Sequence, residues 1–271
     1  MRLKNLLSRG QKKLDEAGIP SARLDCLILL EDMLHKDRSW ILAHPEYEIT
    51  ASQIRKLDRK LDRRIKHVPL AYIRGHTEFY GRKFKVNRHV LEPRPESETM
   101  IELLLNLKLP NKPAIADIGT GNGALGITAA LEIPGSRVDL YEISSGALAV
   151  AKHNVHMHEL HLHARKMNLL SRPLRPYDAL LCNLPYVPDS WEINQAALAE
   201  PKIAIFGGKD GLDLYRKLFK QLQRFTWKPS YVITESLPPQ HEALAAIAVE
   251  YGFTIHSSSD FIQIFTPIKN T

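Results

Sequence analysis

The feature that most constrains this chain is a change of rhythm near residue 91, beyond which short apolar runs alternate with amphipathic stretches. The runs Ala114–Ile118, Arg137–Glu142, Leu162–Met167, Tyr177–Cys182, Tyr231–Thr234, Phe253–His256 and Phe261–Phe265 have strand length. Helical stretches fall between most of them, at Ala124–Glu132, Gly146–His158, Leu212–Arg224 and after Pro239. Alternation of this kind predicts an α/β fold with a parallel, doubly wound sheet. Ligands of such sheets bind beyond the carboxyl ends of the strands.

Before residue 91 the pattern is helical. Ser21 is placed to cap a helix reaching Leu34, whose apolar residues on most faces suit the centre of a bundle. Thr50-Ala-Ser-Gln53 is a capping-box pattern, followed by a stripe of Ile54, Leu57, Leu61 and Ile65 that Pro69 is expected to end. Glu78 to Val86, with Gly81 at its centre, reads as a hairpin. The expected division is a helical domain over 1–72, a hairpin linker over 73–90 and an α/β domain over 91–271.

Charge follows the same division. Of a net +7, residues 1–90 hold 20 Lys and Arg against 11 Asp and Glu, whereas the remainder holds 17 against 19. An acidic partner, nucleic acid or protein, suits the basic half, although Arg55, Lys56, Arg59, Lys60, Arg63 and Arg64 also read as the outer side of an amphipathic helix. Apolar runs such as Ile101–Leu107 are too short to cross a membrane, and the basic N-terminus lacks the apolar core of a signal peptide. Two distant cysteines, Cys26 and Cys182, suit a reduced, cytoplasmic protein.

Three motifs lie at predicted strand ends. Asp117-Ile-Gly119-Thr120-Gly121-Asn122-Gly123 is a strand-to-helix turn whose alternate glycines let a ligand approach the backbone. Gly121-Asn-Gly-Ala-Leu-Gly126 also fits a dinucleotide pattern, so the loop alone indicates a nucleoside cofactor without choosing between NAD and S-adenosylmethionine. Glu142 ends the next strand, where a carboxylate can accept hydrogen bonds from both ribose hydroxyls of either. Asn183-Leu184-Pro185-Tyr186 discriminates between them. An amide or adenine nitrogen is a poor nucleophile because its lone pair is delocalised, so its NH₂ must be held by acceptors that aim the lone pair at a methyl sulfonium. The Asn183 side-chain oxygen and the Leu184 carbonyl are two such acceptors, Pro185 stiffens the turn, and Tyr186 offers a flat face to a planar group.

With these residues in view, the chain resembles the class I methyltransferases that modify a glutamine side chain of peptide chain release factors. The resemblance runs through Ala22-Arg-Leu-Asp25, Pro69-Leu-Ala-Tyr-Ile-Arg-Gly75, Glu78-Phe-Tyr-Gly81, Val90-Leu-Glu-Pro-Arg-Pro-Glu-Ser-Glu98, the glycine loop, Glu142-Ile-Ser, Glu200-Pro201 and Phe206-Gly-Gly-Lys-Asp-Gly-Leu212. It implies a small N-terminal helical bundle that helps dock the release factor, and a seven-stranded Rossmann-like methyltransferase domain yielding N5-methylglutamine. It further implies S-adenosylmethionine as cofactor, held by Asp117, Gly119, Thr120, Gly121, Asn122, Gly123, Glu142 and Asn183. Asn168 stands near the position after the third strand where the family tends to have an acidic residue, and can bond the adenine amino group. A monomer is expected.

Leu184 stands where the family usually has proline, the form seen in rRNA adenine dimethyltransferases. An RNA adenine methyltransferase, a cofactor-binding module without catalysis and a nicotinamide oxidoreductase are the alternatives. His153, His156, His158, His161 and His163 have no carboxylate or cysteine spaced to complete a metal site and read as a solvated helix end. Cys182 reads as buried packing, and no metal is expected.

Overall fold

The structure is a computed structural model and describes residues 1–193, 195 and 197–268. The chain divides into two compact units, one formed mainly by Met1–His76 and the other by Thr77–Ile193 with the chain from Glu200 onward.

The first unit holds helices α1 (Leu3–Glu16), α2 (Ala22–Leu34), α3 (Arg38–Ala43), α4 (Ala51–Ile65) and α5 (Leu70–Arg74). Helix α2 is its centre, burying Cys26, Leu29, Leu30 and Met33 in a core shared with Leu6, Leu14, Leu57 and Leu61. Asp25, also buried on α2, pairs with Arg64 of α4 at 2.6 Å. The Thr50–Gln53 capping box is formed. Ser21 differs from expectation: its backbone (φ −94°, ψ 21°) is not extended, and its side chain makes no capping bond. Nor does Pro69 end α4. The helix stops at Ile65, His67 turns the chain at φ 57°, and Pro69 opens α5, where its missing N–H costs nothing.

The second unit begins with the hairpin of β1 (His76–Phe79) and β2 (Arg82–Lys85). Phe79 and Phe84 are buried with Met100, Ile101, Leu104 and Ile115, so the hairpin belongs to the core of this unit and is more than a linker. Then follow α6 (Glu98–Leu105), β3 (Ala114–Ile118), α7 (Ala124–Glu132), β4 (Arg137–Glu142), α8 (Ser145–Met157), β5 (His163–Lys166), β6 (Ala179–Cys182), α9 (Asp213–Gln223), β7 (Tyr231–Glu235), α10 (His241–Glu250), β8 (Phe253–Ser259) and β9 (Ile262–Pro267).

These seven strands form one sheet in the order β5-β4-β3-β6-β7-β9-β8. Alternate residues serve its two faces: Ile115, Leu181 and Ile233 enter one core, Ala116, Leu180 and Val232 the other. The sheet is not wholly parallel, because β9 runs antiparallel to both β7 and β8. Only Asp260 and Phe261 join β8 to β9, too few residues for the crossover that parallel pairing requires. Between β3 and β6 the strand order reverses, which opens a crevice beyond their carboxyl ends. Among the described residues no helix is long and apolar enough to cross a membrane.

Candidate active site

A cavity occupies that crevice. Four consecutive strand ends wall it: Asp117 and Gly119–Asn122 after β3, Glu142–Ser144 after β4, Met167–Leu169 after β5, and Asn183–Pro185 after β6. Val90, Leu91, Pro93 and Ser97 from the segment before α6 complete one side, and Ile203 and Ala204 another. Those two segments are tied together by the buried Glu200, which pairs with Arg94 and accepts the Glu92 N–H at 3.1 Å.

In the glycine loop, Gly119, Gly121 and Gly123 have φ of 70°, 58° and 88°, so glycine is required there by the backbone itself. The Gly119 and Thr120 N–H groups donate to the Tyr141 carbonyl at 2.8 and 3.0 Å. Asp117 accepts the Thr120 hydroxyl and, at 2.9 Å, the Gly126 N–H, bracing the loop against α7. Burial pushes its carboxyl up to about 6 against the pull of these two bonds. Gly123 lies outside the cavity wall, and a Cβ there would meet Ile127 Cδ1 at 2.8 Å.

Glu142 is 7% exposed and accepts the Gly121 N–H at 2.9 Å and the Ser144 N–H at 2.8 Å, one on each oxygen. Each oxygen keeps a second lone pair for a ligand hydroxyl. Asn122 is buried, its side-chain oxygen accepts the Ala124 N–H, and its Nδ2 has no partner among the described residues. Asn154 supports the loop from behind, donating to the Asn122 and Lys85 carbonyls. Asn168 lines the cavity, and its carbonyl takes the Ser171 N–H.

The turn after β6 is held by groups that sequence reasoning did not single out. Asn183 Nδ2 donates to Ser97 Oγ at 2.8 Å and to Glu235 Oε2 at 3.0 Å. Asn183 Oδ1 and the Leu184 carbonyl have no partner among the described residues. Leu184 is 2% exposed, and its N–H points to the buried Tyr215 hydroxyl at 3.4 Å. Tyr186 is not in the cavity wall, and its hydroxyl donates to Glu235 Oε1 at 3.0 Å. Gln240 donates to the Tyr186 carbonyl at 2.8 Å, and a Cβ on Gly211 would meet that same oxygen at 2.0 Å, so the Gly-Gly-x-Asp-Gly segment packs backbone to backbone on this turn. Cys182 is fully buried, and burial with the nearby Asp117 pushes its thiol well up, away from thiolate chemistry. Glu235 carried a faint signal in sequence, as a charge closing the apolar run Tyr231–Thr234 at the same end of the sheet.

This fold, with a glycine loop, a strand-end carboxylate and the Asn183 turn around one crevice, defines a class I methyltransferase. The matching family models are the PrmC N-terminal domain over residues 5–75 and the methyltransferase small domain over residues 97–200. The release factor glutamine methyltransferase of Koribacter versatilis (strain Ellin345) is 38% identical over 82% of this chain and 81% of its own length. That of Coxiella burnetii (strain RSA 493 / Nine Mile phase I) is 34% identical over 85% and 84%. The chain belongs to the release factor glutamine methyltransferase family. Among solved structures, the hMettl16 catalytic domain in complex with a MAT2A 3'UTR hairpin shares the fold at a TM-score of 0.55 and 12% identity, covering 84% of this chain and 85% of that one.

Proposed function

We propose that this protein transfers a methyl group from S-adenosylmethionine to the side-chain amide nitrogen of a glutamine in a peptide chain release factor. The observation that carries this reading is the pair of free acceptors, Asn183 Oδ1 and the Leu184 carbonyl, on the turn that faces the glycine loop across the strand-order reversal.

The residues fit the cofactor. Asn122 Nδ2 is a buried donor without a partner among the described residues, and Glu142 retains one lone pair on each oxygen for ribose hydroxyls. Gly119 and Gly121 bring bare backbone to the cavity, and Asn168 is the polar group after β5 for an adenine amino group. When bound, S-adenosylmethionine supplies an electrophilic methyl on a sulfonium. Asn183 and the Leu184 carbonyl then accept the two N–H bonds of the substrate amide, which aims the nitrogen lone pair out of the amide plane. The substrate proton leaves after the N–C bond has formed, so this chain needs no histidine or thiol as catalyst. In the same reading the helical unit near residues 1–72 docks the release factor.

Incubation with S-adenosylmethionine and either purified release factors or rRNA, followed by mass mapping of the added methyl, tests the proposal. A single methyl on a release-factor glutamine is expected. Label on adenine of RNA, with none on protein, would overturn it.

A further inference from the structure

Asparagine is nearly symmetric in shape, its amide oxygen and nitrogen being close in size, so packing alone cannot decide which end of Asn183 faces a substrate. Hydrogen-bond partners must decide, and two converge on Nδ2. Glu235 Oε2 lies 3.0 Å away and Ser97 Oγ 2.8 Å away. Ser97 gives its one hydroxyl proton to the same Glu235 oxygen at 2.6 Å, so it meets Asn183 with a lone pair. Both neighbours are therefore acceptors. A flipped Asn183 would set oxygen against oxygen in a buried site and would aim its own NH₂ at the substrate NH₂, leaving two donors face to face.

Glu235 is well placed to impose this. It is 1% exposed and closes β7, the neighbour of β6, where Thr234 pairs with Cys182 immediately before Asn183. Its second oxygen accepts the Tyr186 hydroxyl at 3.0 Å, and its carbonyl accepts the Tyr215 hydroxyl. Burial pushes its carboxyl up, against the pull of three donors that approach it, the Ser97 hydroxyl, the Asn183 amide and the Tyr186 hydroxyl, to each of which it is the acceptor.

We propose that Glu235 is a positioning residue: its carboxylate holds Asn183 with the nitrogen inward, so that only an oxygen is offered to the substrate amide. This rests on the amide-methyltransferase reading above. Glu235 acts through Asn183 and need not touch the substrate.

Glu235→Gln keeps the shape but replaces an acceptor by an amide able to donate, which removes the bias against the flipped Asn183. Its kcat should fall by about tenfold or more, with the KM for S-adenosylmethionine and the rise in Tm caused by S-adenosylhomocysteine nearly unchanged. Adding Asn183→Asp to this variant should restore part of the loss, since a carboxylate presents an oxygen outward in either orientation. Asn183→Asp alone, which sets two carboxylates together, should be worse than the double variant. Should Glu235→Gln not fold, Ser97→Ala, which removes the other inward acceptor, should lower kcat a few-fold with the cofactor KM retained. Methylation by Glu235→Gln within about twofold of the wild type, or a double variant no better than Glu235→Gln, would overturn this inference alone. A wild-type protein that methylates no glutamine would overturn it together with the proposed function.

Discussion

Leu184 Cδ2 lies 3.0 Å from the point a Cβ on Gly119 would occupy, so the turn after β6 and the glycine loop after β3 touch directly across the strand-order reversal. The two halves of the proposed chemistry thus share a wall. The loop cannot move outward without pushing on the turn that presents Asn183. Gly119 also sits at φ 70°, where a side chain is strained by about 1–2 kcal/mol. Gly119→Ala is expected to lower stability by about 1–3 kcal/mol and to weaken S-adenosylhomocysteine binding, as calorimetry and thermal melts would show.

Asn183→Ala removes one of the two proposed substrate acceptors and leaves the glycine loop and Glu142 in place. Turnover should fall by about 10²- to 10³-fold or more, while cofactor affinity stays within a few-fold. Single-turnover rates beside equilibrium binding separate the two. Lost cofactor binding with a normal chemical step would contradict the role given to Asn183.

Tyr215 holds the Leu184 end of the turn after β6. A proline at 184 would have no N–H, whereas Leu184 has one, directed at the Tyr215 hydroxyl, and that hydroxyl in turn bonds the Cys182 and Glu235 carbonyls. Tyr215→Phe leaves these buried groups short of a partner and should cost about 1–3 kcal/mol in denaturant unfolding. A reduced kcat at unchanged cofactor affinity should accompany it.

Asp117 gives a pH signature. Burial raises its carboxyl in the folded state from an ordinary 3.8 to about 6, so the fold favours the protonated form. The stability it contributes is fully present below the ordinary value and declines as pH rises through about 6. Asp117→Asn keeps an acceptor for Thr120 and Gly126 and should remove that slope, measured as the difference in Tm between the two proteins from pH 4 to 7.

In the helical unit, Arg64→Ala would leave Asp25 buried and unpaired. A loss of about 3–5 kcal/mol is expected for a broken buried pair. Equilibrium unfolding of the full chain, followed by far-UV circular dichroism, would measure it.

Much of the fold was legible because the periodicities are local. Ala114–Ile118, Arg137–Glu142 and Ala124–Glu132 were readable to the residue, the two strands buried on both faces and the helix buried throughout Ala124–Ala129. The antiparallel end of the sheet was not, since strand direction depends on the two-residue connection at Asp260–Phe261 and not on the apolar run itself. At the site, residues at strand ends were findable because such sheets bind ligands there, and Asp117, Gly119, Gly121, Glu142, Asn168 and Asn183 all reach the cavity wall. The partners that hold the loop and the turn, Ser97, Asn154, Tyr215, Glu235 and Gln240, come from positions 31 to 86 residues away from the groups they bond and left no local pattern.

A structure of the protein with S-adenosylhomocysteine and a glutamine-bearing release factor tests the central claim most directly. The glutamine NH₂ is expected within about 3 Å of both Asn183 Oδ1 and the Leu184 carbonyl, on the side facing the glycine loop. A glutamine held by other groups, with Asn183 Oδ1 turned toward Glu235, would contradict it.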